Sequence, residues 1–138
     1  MLFPPIVIYK ISKGYNDMAQ AQTALIVDDM PDMRSLLRTT LLKLGLTSVA
    51  EAEDGAQALA TYQQDTIDIV FLDINMPGVS GLELLVELKR IDPKVYVVMV
   101  SGESSISNVQ AAIGFGAKGF VVKPYSVDKI EEALKRFD

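Results

Sequence analysis

Residues 25–33 read LIVDDMPDM, an apolar run that stops at two adjacent aspartates. Such a run reads as a strand entering a core, and a core is a poor place for two carboxylates that repel each other. The stretch makes sense if the strand ends at residue 27 and the acids lie just beyond its carboxyl end. Whether other strands end in the same way then decides the fold.

They do. The first strand, residues 24–27, is followed by a helical stripe of Met33, Leu36, Leu37, Leu41 and Leu44, closed by Gly45. A second strand covers residues 48–52, and Asp54 is placed to cap a helix running through Tyr62. The third strand, IDIVFLD, is apolar on both faces towards its end, as a central parallel strand should be. The Pro- and Gly-bearing loop NMPGVSG leads to a third helix marked by Leu82, Leu85, Val86 and Leu88, which ends before Pro93. VYVVMV is the fourth strand, a fourth helix spans residues 105–115 up to Gly116, and GFVV is the fifth strand. The last helix carries Val127, Ile130, Leu134 and Phe137 at steps of three and four. Five strand–helix units in alternation predict an α/β fold, a doubly wound five-stranded parallel sheet with helices on both faces. Residues 1–21 stand outside the repeat and are expected to form a flexible N-terminal extension, with the folded domain over residues 22–138.

Composition narrows the chemistry. The chain has 138 residues, about one domain, and 49% of them are hydrophobic, enough for a sizeable core. It has no cysteine and no histidine. Disulfides, thiolate metal sites and imidazole general bases are therefore excluded. The net charge of −5 argues against direct nucleic-acid binding, which needs cations against phosphates. No run approaches the ~20 apolar residues of a membrane span. Pro4 and Pro5 interrupt the apolar N-terminus, and no basic residue precedes it, so a secretory signal is not expected. A cytoplasmic protein without membrane insertion is the expectation.

Open parallel sheets bind ligands beyond the carboxyl ends of their strands. Strand one ends in Asp28 and Asp29, strand three in Asp73, strand four in Ser101 and strand five in Lys123. In a flavodoxin-like order, 2-1-3-4-5, these four strands are contiguous and their ends converge. Two unit charges 4 Å apart repel by about 4 kcal/mol at an effective dielectric of ~20, so three carboxylates need a positive partner. A hard cation such as Mg2+ serves, with the backbone carbonyl of Asn75 as a further oxygen. Lys123 adds a point charge and Ser101 a hydroxyl donor. Together they describe a place for a phosphoryl group on a carboxylate, and aspartate is an established phosphoryl acceptor. Taken singly, each piece reads more simply as a turn residue, a cap or a solvated lysine; their joint placement at four strand ends carries the argument.

In combination and in order, LIVDD, VFLDINMPGVSGLELL, VVMVSGE and GAKGFVVKPYS resemble the receiver domain of bacterial two-component response regulators, over about residues 22–138. The resemblance implies the 2-1-3-4-5 order and a set of roles. Asp73 matches the phosphoacceptor. Asp28 and Asp29, with Asp73 and the Asn75 carbonyl, match the Mg2+ ligands. Lys123 matches the lysine whose bond to the following proline is typically cis, and Ser101 and Phe120 match the switch pair. Asn75 and Glu103 match positions associated with the rate of phosphoryl hydrolysis, and chemotaxis-type single-domain regulators carry the same two residues. The implied partners are a sensor histidine kinase or histidine phosphotransfer protein as donor and a downstream effector protein. The expected function is that of a stand-alone signalling phosphoacceptor rather than an enzyme, in a phosphorelay or in chemotaxis. Two alternatives are weaker. A Mg2+-dependent aspartyl-nucleophile phosphohydrolase wants an acid two residues after its nucleophile, where this chain has Asn75. A flavodoxin-like FMN carrier wants a phosphate-cradling first loop, where this chain has the acidic DDMPDM.

Overall fold

The computed structural model of the chain describes residues 21–137. Five strands alternate with five helices among them. In chain order these are β1 (Thr23–Val27), α1 (Pro31–Lys43), β2 (Ser48–Ala52), α2 (Gly55–Gln64) and β3 (Ile69–Leu72). They continue as α3 (Gly81–Ile91), β4 (Val97–Ser101), α4 (Ile106–Gly114), β5 (Gly119–Val122) and α5 (Val127–Lys135). All four strand pairings are parallel and the sheet order is β2-β1-β3-β4-β5, as expected. No helix among the described residues is long and apolar enough to cross a membrane.

The alternation of side chains along each strand divides the core in two. Leu25, Val27, Val70, Leu72, Val97 and Met99 face one way, against Ala58 of α2, Leu84, Leu85 and Leu88 of α3 and Ala112 of α4. Ala24, Ile26, Ile69, Phe71, Val98, Val100 and Val121 face the other way, against Leu37 and Leu41 of α1 and Ile130 and Leu134 of α5. Covered on both faces, β3 is buried throughout, which is why its sequence shows no polar alternation.

Local signals set the helix starts. The Asp54 carboxylate accepts from Gln57 N at 2.9 Å, as its sequence position predicts. Ser80 and Glu83 form a reciprocal capping box at the head of α3. Gly45 and Gly116 take positive φ (108° and 101°) just past α1 and α4, where a Cβ would strain the chain.

Several expected details are corrected. Leu36 is 53% exposed, at the flank of the α1 stripe; Thr40 is buried there instead, its hydroxyl donating to Leu36 O at 2.9 Å. On α3 the inward residue is Leu84 and Val86 is exposed. Val127 is also exposed, whereas Ala133 is buried. Leu and Val occur on both sides of these helices, so hydropathy alone does not fix the phase. Phe137 lies beyond α5, packing edge-on against Tyr96 with ring centres 5.0 Å apart. β3 and β4 each begin two residues later than expected. The expected N-terminal extension lies outside the described residues except for Ala21, which is buried in the second core.

Candidate functional site

The hydrogen-bonded ladder runs one residue past several strands and pins the polar residues there. Asp28 N donates to Ala52 O (3.1 Å), Asp73 N to Val27 O (3.0 Å) and Lys123 N to Ser101 O (3.0 Å). Asp28, Asp73 and Lys123 also share a parity: each continues the series of side chains facing α1 and α5. Their side chains meet as a result. Lys123 Nζ lies 2.7 Å from Asp28 Oδ2 and 3.5 Å from Asp73 Oδ2. One carboxylate oxygen from each of Asp28, Asp29 and Asp73 lies within 4.8 Å of the other two.

Burial makes this arrangement tense. Asp28 and Asp73 are 5% and 6% exposed, while Asp29 is half-buried. Burial pushes the Asp73 carboxyl above the ordinary range, and Asp28 adds to the rise. The Lys123 ammonium is the main opposing influence, helped by the Ser101 hydroxyl and the Asn75 N–H. That N–H stands 3.4 Å from Asp73 Oδ1. Asp28 is held from its other side by Met30 N, at 2.9 Å.

Ser101 is completely buried at the end of β4, and its Oγ accepts from Glu103 N at 3.0 Å. Its parity is the opposite one, shared with Met99 and, on the neighbouring strand, with half-buried Phe120. Asn75 and Glu103 have exposed side chains. The Lys123–Pro124 peptide is cis, as the resemblance implies.

Three further residues shape the site without having been singled out in the sequence. Arg34 on α1 donates from Nη1 to Asp28 O at 2.7 Å while its Nε pairs with Glu51 at 3.0 Å. Gly81 N donates to Ile74 O at 2.7 Å, and a Cβ on Gly81 would overlap the carbonyl oxygen of Asp73. Only glycine lets α3 begin this close to Asp73. Tyr125 lines a cleft with Asp28, Asp73 and Lys123, and its buried hydroxyl has no hydrogen-bond partner among the described residues. The sequence held signals for two of them: an acidic pair calls for nearby cations, and GVSG places a glycine at a helix start.

The side chains gathered here as candidate metal donors, Asp28, Asp29 and Asp73, offer carboxylate oxygens. That donor set fits a small hard divalent cation, which takes oxygen ligands and tolerates a mixture of protein and water donors.

The comparisons with known proteins agree with this geometry. The response regulator receiver domain family matches residues 24–135. The chemotaxis protein CheY of Bacillus subtilis (strain 168) is 42% identical over 116 residues, covering 84% of this chain and 97% of that protein. CheY of Thermotoga maritima is 37% identical over 112 residues, 81% of this chain and 93% of its own length. Among solved structures, Vibrio cholerae CheY4 superposes with a TM-score of 0.79 at 29% identity, over 86% of this chain and 99% of the other. The CheX–CheY–BeF3–Mg2+ complex from Borrelia burgdorferi gives 0.79 at 31% identity, over 82% and 86%. An acidic triad braced by one lysine at the strand ends, on a sheet of this order and in a sequence that follows these proteins for most of its length, makes the chain a member of the response regulator receiver domain family.

Proposed function

We propose that the protein is a signalling receiver that takes a phosphoryl group from a partner's phosphohistidine onto Asp73. The observation that carries this is the meeting of three carboxylates and Lys123 at the sheet end, with Asp73 itself buried. An Asp73 carboxylate oxygen attacks phosphorus in line; the P–N bond breaks and its electron pair leaves with the imidazole. Asp28, Asp29, Asp73 and the backbone carbonyl of Asn75 would hold Mg2+, which supplies positive charge to the phosphoryl oxygens. Lys123, 3.5 Å from Asp73 Oδ2, neutralises a further oxygen. Positioning and charge carry the catalysis, so a chain without histidine needs no general base of its own.

Ser101 and Phe120 form the switch. The Ser101 oxygen accepts from Glu103 N, so its proton can be directed at the Asp73 carboxylate and, after transfer, at a phosphoryl oxygen. As Ser101 moves towards the phosphoryl group, Phe120 fills the space behind it. The face made by α4, β5 and α5 then changes, and a downstream effector reads it. The donor is a sensor histidine kinase or a histidine phosphotransfer protein.

The test is incubation with acetyl phosphate and MgCl2, followed by intact mass. One phosphoryl group is gained by the native chain, and none by Asp73→Asn or by the native chain in EDTA. Equal labelling of Asp73→Asn removes the reading.

A further inference from the structure

Asp28 and Asp29 are neighbours in the chain, and neighbouring side chains of a strand point to opposite faces. Their carboxylates nevertheless come within 4.8 Å of each other. The backbone leaves the extended alternation between them, and it bends at Asp29. The peptide that joins the two residues therefore sets the separation of the two acids. Its carbonyl oxygen, Asp28 O, accepts from Arg34 Nη1 at 2.7 Å. Arg34 also closes this loop through its backbone, its N donating to Met30 O at 3.1 Å.

Arg34 is itself held. Its Nε pairs with Glu51 at 3.0 Å, and Arg38, one turn further along α1, pairs with the other oxygen of Glu51 at 2.8 Å. Glu51 lies opposite Ile26 in the β1–β2 ladder and shares its side of the sheet, the one that faces α1. Stability alone does not account for Arg34. Arg38 by itself would join α1 to β2 through Glu51, and it leaves the bond to Asp28 O unexplained. Charge alone does not account for it either. A guanidinium, 14% exposed, beside a pocket that takes a cation repels that cation, and a neutral residue would serve better.

We propose that Arg34 is a positioning residue for the metal site: anchored by Glu51, it fixes the peptide between Asp28 and Asp29 and holds their carboxylates together against their mutual repulsion before the metal arrives. The proposal rests on the receiver reading above and adds to it a residue that acts through the Asp28 carbonyl. Asp28 is held at four points: its N by Ala52 O, its O by Arg34, its Oδ1 by Met30 N and its Oδ2 by Lys123. Two of these occupy the carboxylate oxygens that a metal needs, and the reading above draws Lys123 away to the phosphoryl group. The Arg34 bond grips the backbone and leaves both carboxylate oxygens free. A planar guanidinium keeps two partners in fixed relation through two of its nitrogens, which an ammonium on a flexible stem does not.

The experiment is a MgCl2 titration of the 15N-labelled full chain, read at the Asp29, Met30 and Asn75 amides, for the native protein, Arg34→Met and Arg34→Lys. Methionine keeps the apolar stem and loses the charge and the donors; lysine keeps the charge and loses the fork. Mg2+ affinity is expected to fall by about tenfold in Arg34→Met and by a smaller factor in Arg34→Lys. Charge alone predicts the reverse, tighter binding in Arg34→Met and no change in Arg34→Lys. In EDTA the Met30 amide, which donates to Asp28 Oδ1, is expected to exchange with solvent about tenfold faster in Arg34→Met, while the sheet amides of Leu25 and Phe71 keep their native rates. A merely structural role would move all three together. Arg34→Met affinity equal to or above the native value overturns the proposal, as does a rise in Met30 exchange no larger than that at Leu25 and Phe71. A native chain that binds Mg2+ and gains a phosphoryl group from acetyl phosphate, with its affinity unchanged in both variants, overturns this proposal alone. A native chain that does neither overturns the receiver reading and this proposal with it.

Discussion

Asp73 is held where its charge works against folding, so Asp73→Asn should stabilise the metal-free protein. The magnitude follows from distances. Asp28 and Asp29 each bring a carboxylate oxygen within 4.8 Å of Asp73, and each such pair repels by about 3.5 kcal/mol at an effective dielectric of ~20. Lys123 at 3.5 Å attracts by about 4.7 kcal/mol on the same scale. The balance is a repulsion of about 2 kcal/mol, and burial of the charge adds to it. The sign agrees with the direction in which the Asp73 carboxyl is shifted.

That shift also sets the pH dependence. A carboxylate whose folded pKa lies above its unfolded value binds more protons folded than unfolded across that window, so stability falls as pH rises through it. The penalty is complete at pH above the folded pKa and absent below the ordinary carboxylate range. Urea unfolding in EDTA, followed by far-UV circular dichroism, should therefore put the Asp73→Asn midpoint about 1 M above the native one at neutral pH. The gap should close as the pH falls through the carboxylate range. MgCl2 should narrow it as well, since a ligand at a hundredfold excess over its Kd stabilises the native chain by about 2.7 kcal/mol. An Asp73→Asn protein no more stable than the native chain in EDTA at neutral pH would refute the reasoning.

Three other substitutions test the surrounding structure. Gly81→Ala puts a methyl group into the Asp73 carbonyl and should cut acetyl phosphate labelling by at least about tenfold while circular dichroism stays native; unaltered labelling would show that α3 can shift freely. Tyr125→Phe deletes a buried hydroxyl that has no partner among the described residues and should stabilise the metal-free protein by about 1 kcal/mol in urea unfolding, whereas a loss would mean that the hydroxyl is already satisfied. Tyr62 donates to Asp92 at 2.6 Å and is the main reason that the Asp92 carboxyl is held below its usual range. Its contribution is present above the ordinary carboxylate pKa and lost as pH falls through the lowered one. Tyr62→Phe should then cost about 1 kcal/mol at neutral pH and little in acid, and a cost independent of pH would count against an ionic partner.

The site was legible in the sequence because each strand is a short apolar run with an abrupt polar end. Asp28, Asp73, Ser101 and Lys123 stand at those ends, and a parallel sheet places all such ends on one side. Helix phase was less legible. Leu36 and Val127 are as apolar as their buried neighbours, and only packing against β1, β2 and β5 decides that Thr40 and Ala133 go inside. Gly81 and Tyr125 were hidden for a different reason. Their importance lies in distances to Asp73 and Asp28 that join separate parts of the chain, and no periodicity within a helix or strand records such a distance.

The two parities of the sheet give the proposed switch its economy. Asp28, Asp73 and Lys123 continue the side-chain series that faces α1 and α5, so charge collects on that side of the strand ends. Ser101 continues the opposite series and reaches the same place from the side of α2, α3 and α4. Phe120 pairs with Met99, two residues back from Ser101 on the same face, and is thus its diagonal neighbour across the β4–β5 ladder. In the proposed switch, a displacement of Ser101 towards Asp73 would open space on the side where Phe120 lies. Among the described residues β5 is the last strand of the sheet on this side. In that proposed switch one strand therefore carries both the lysine that answers the phosphoryl group, just past its end, and the aromatic ring that moves in response.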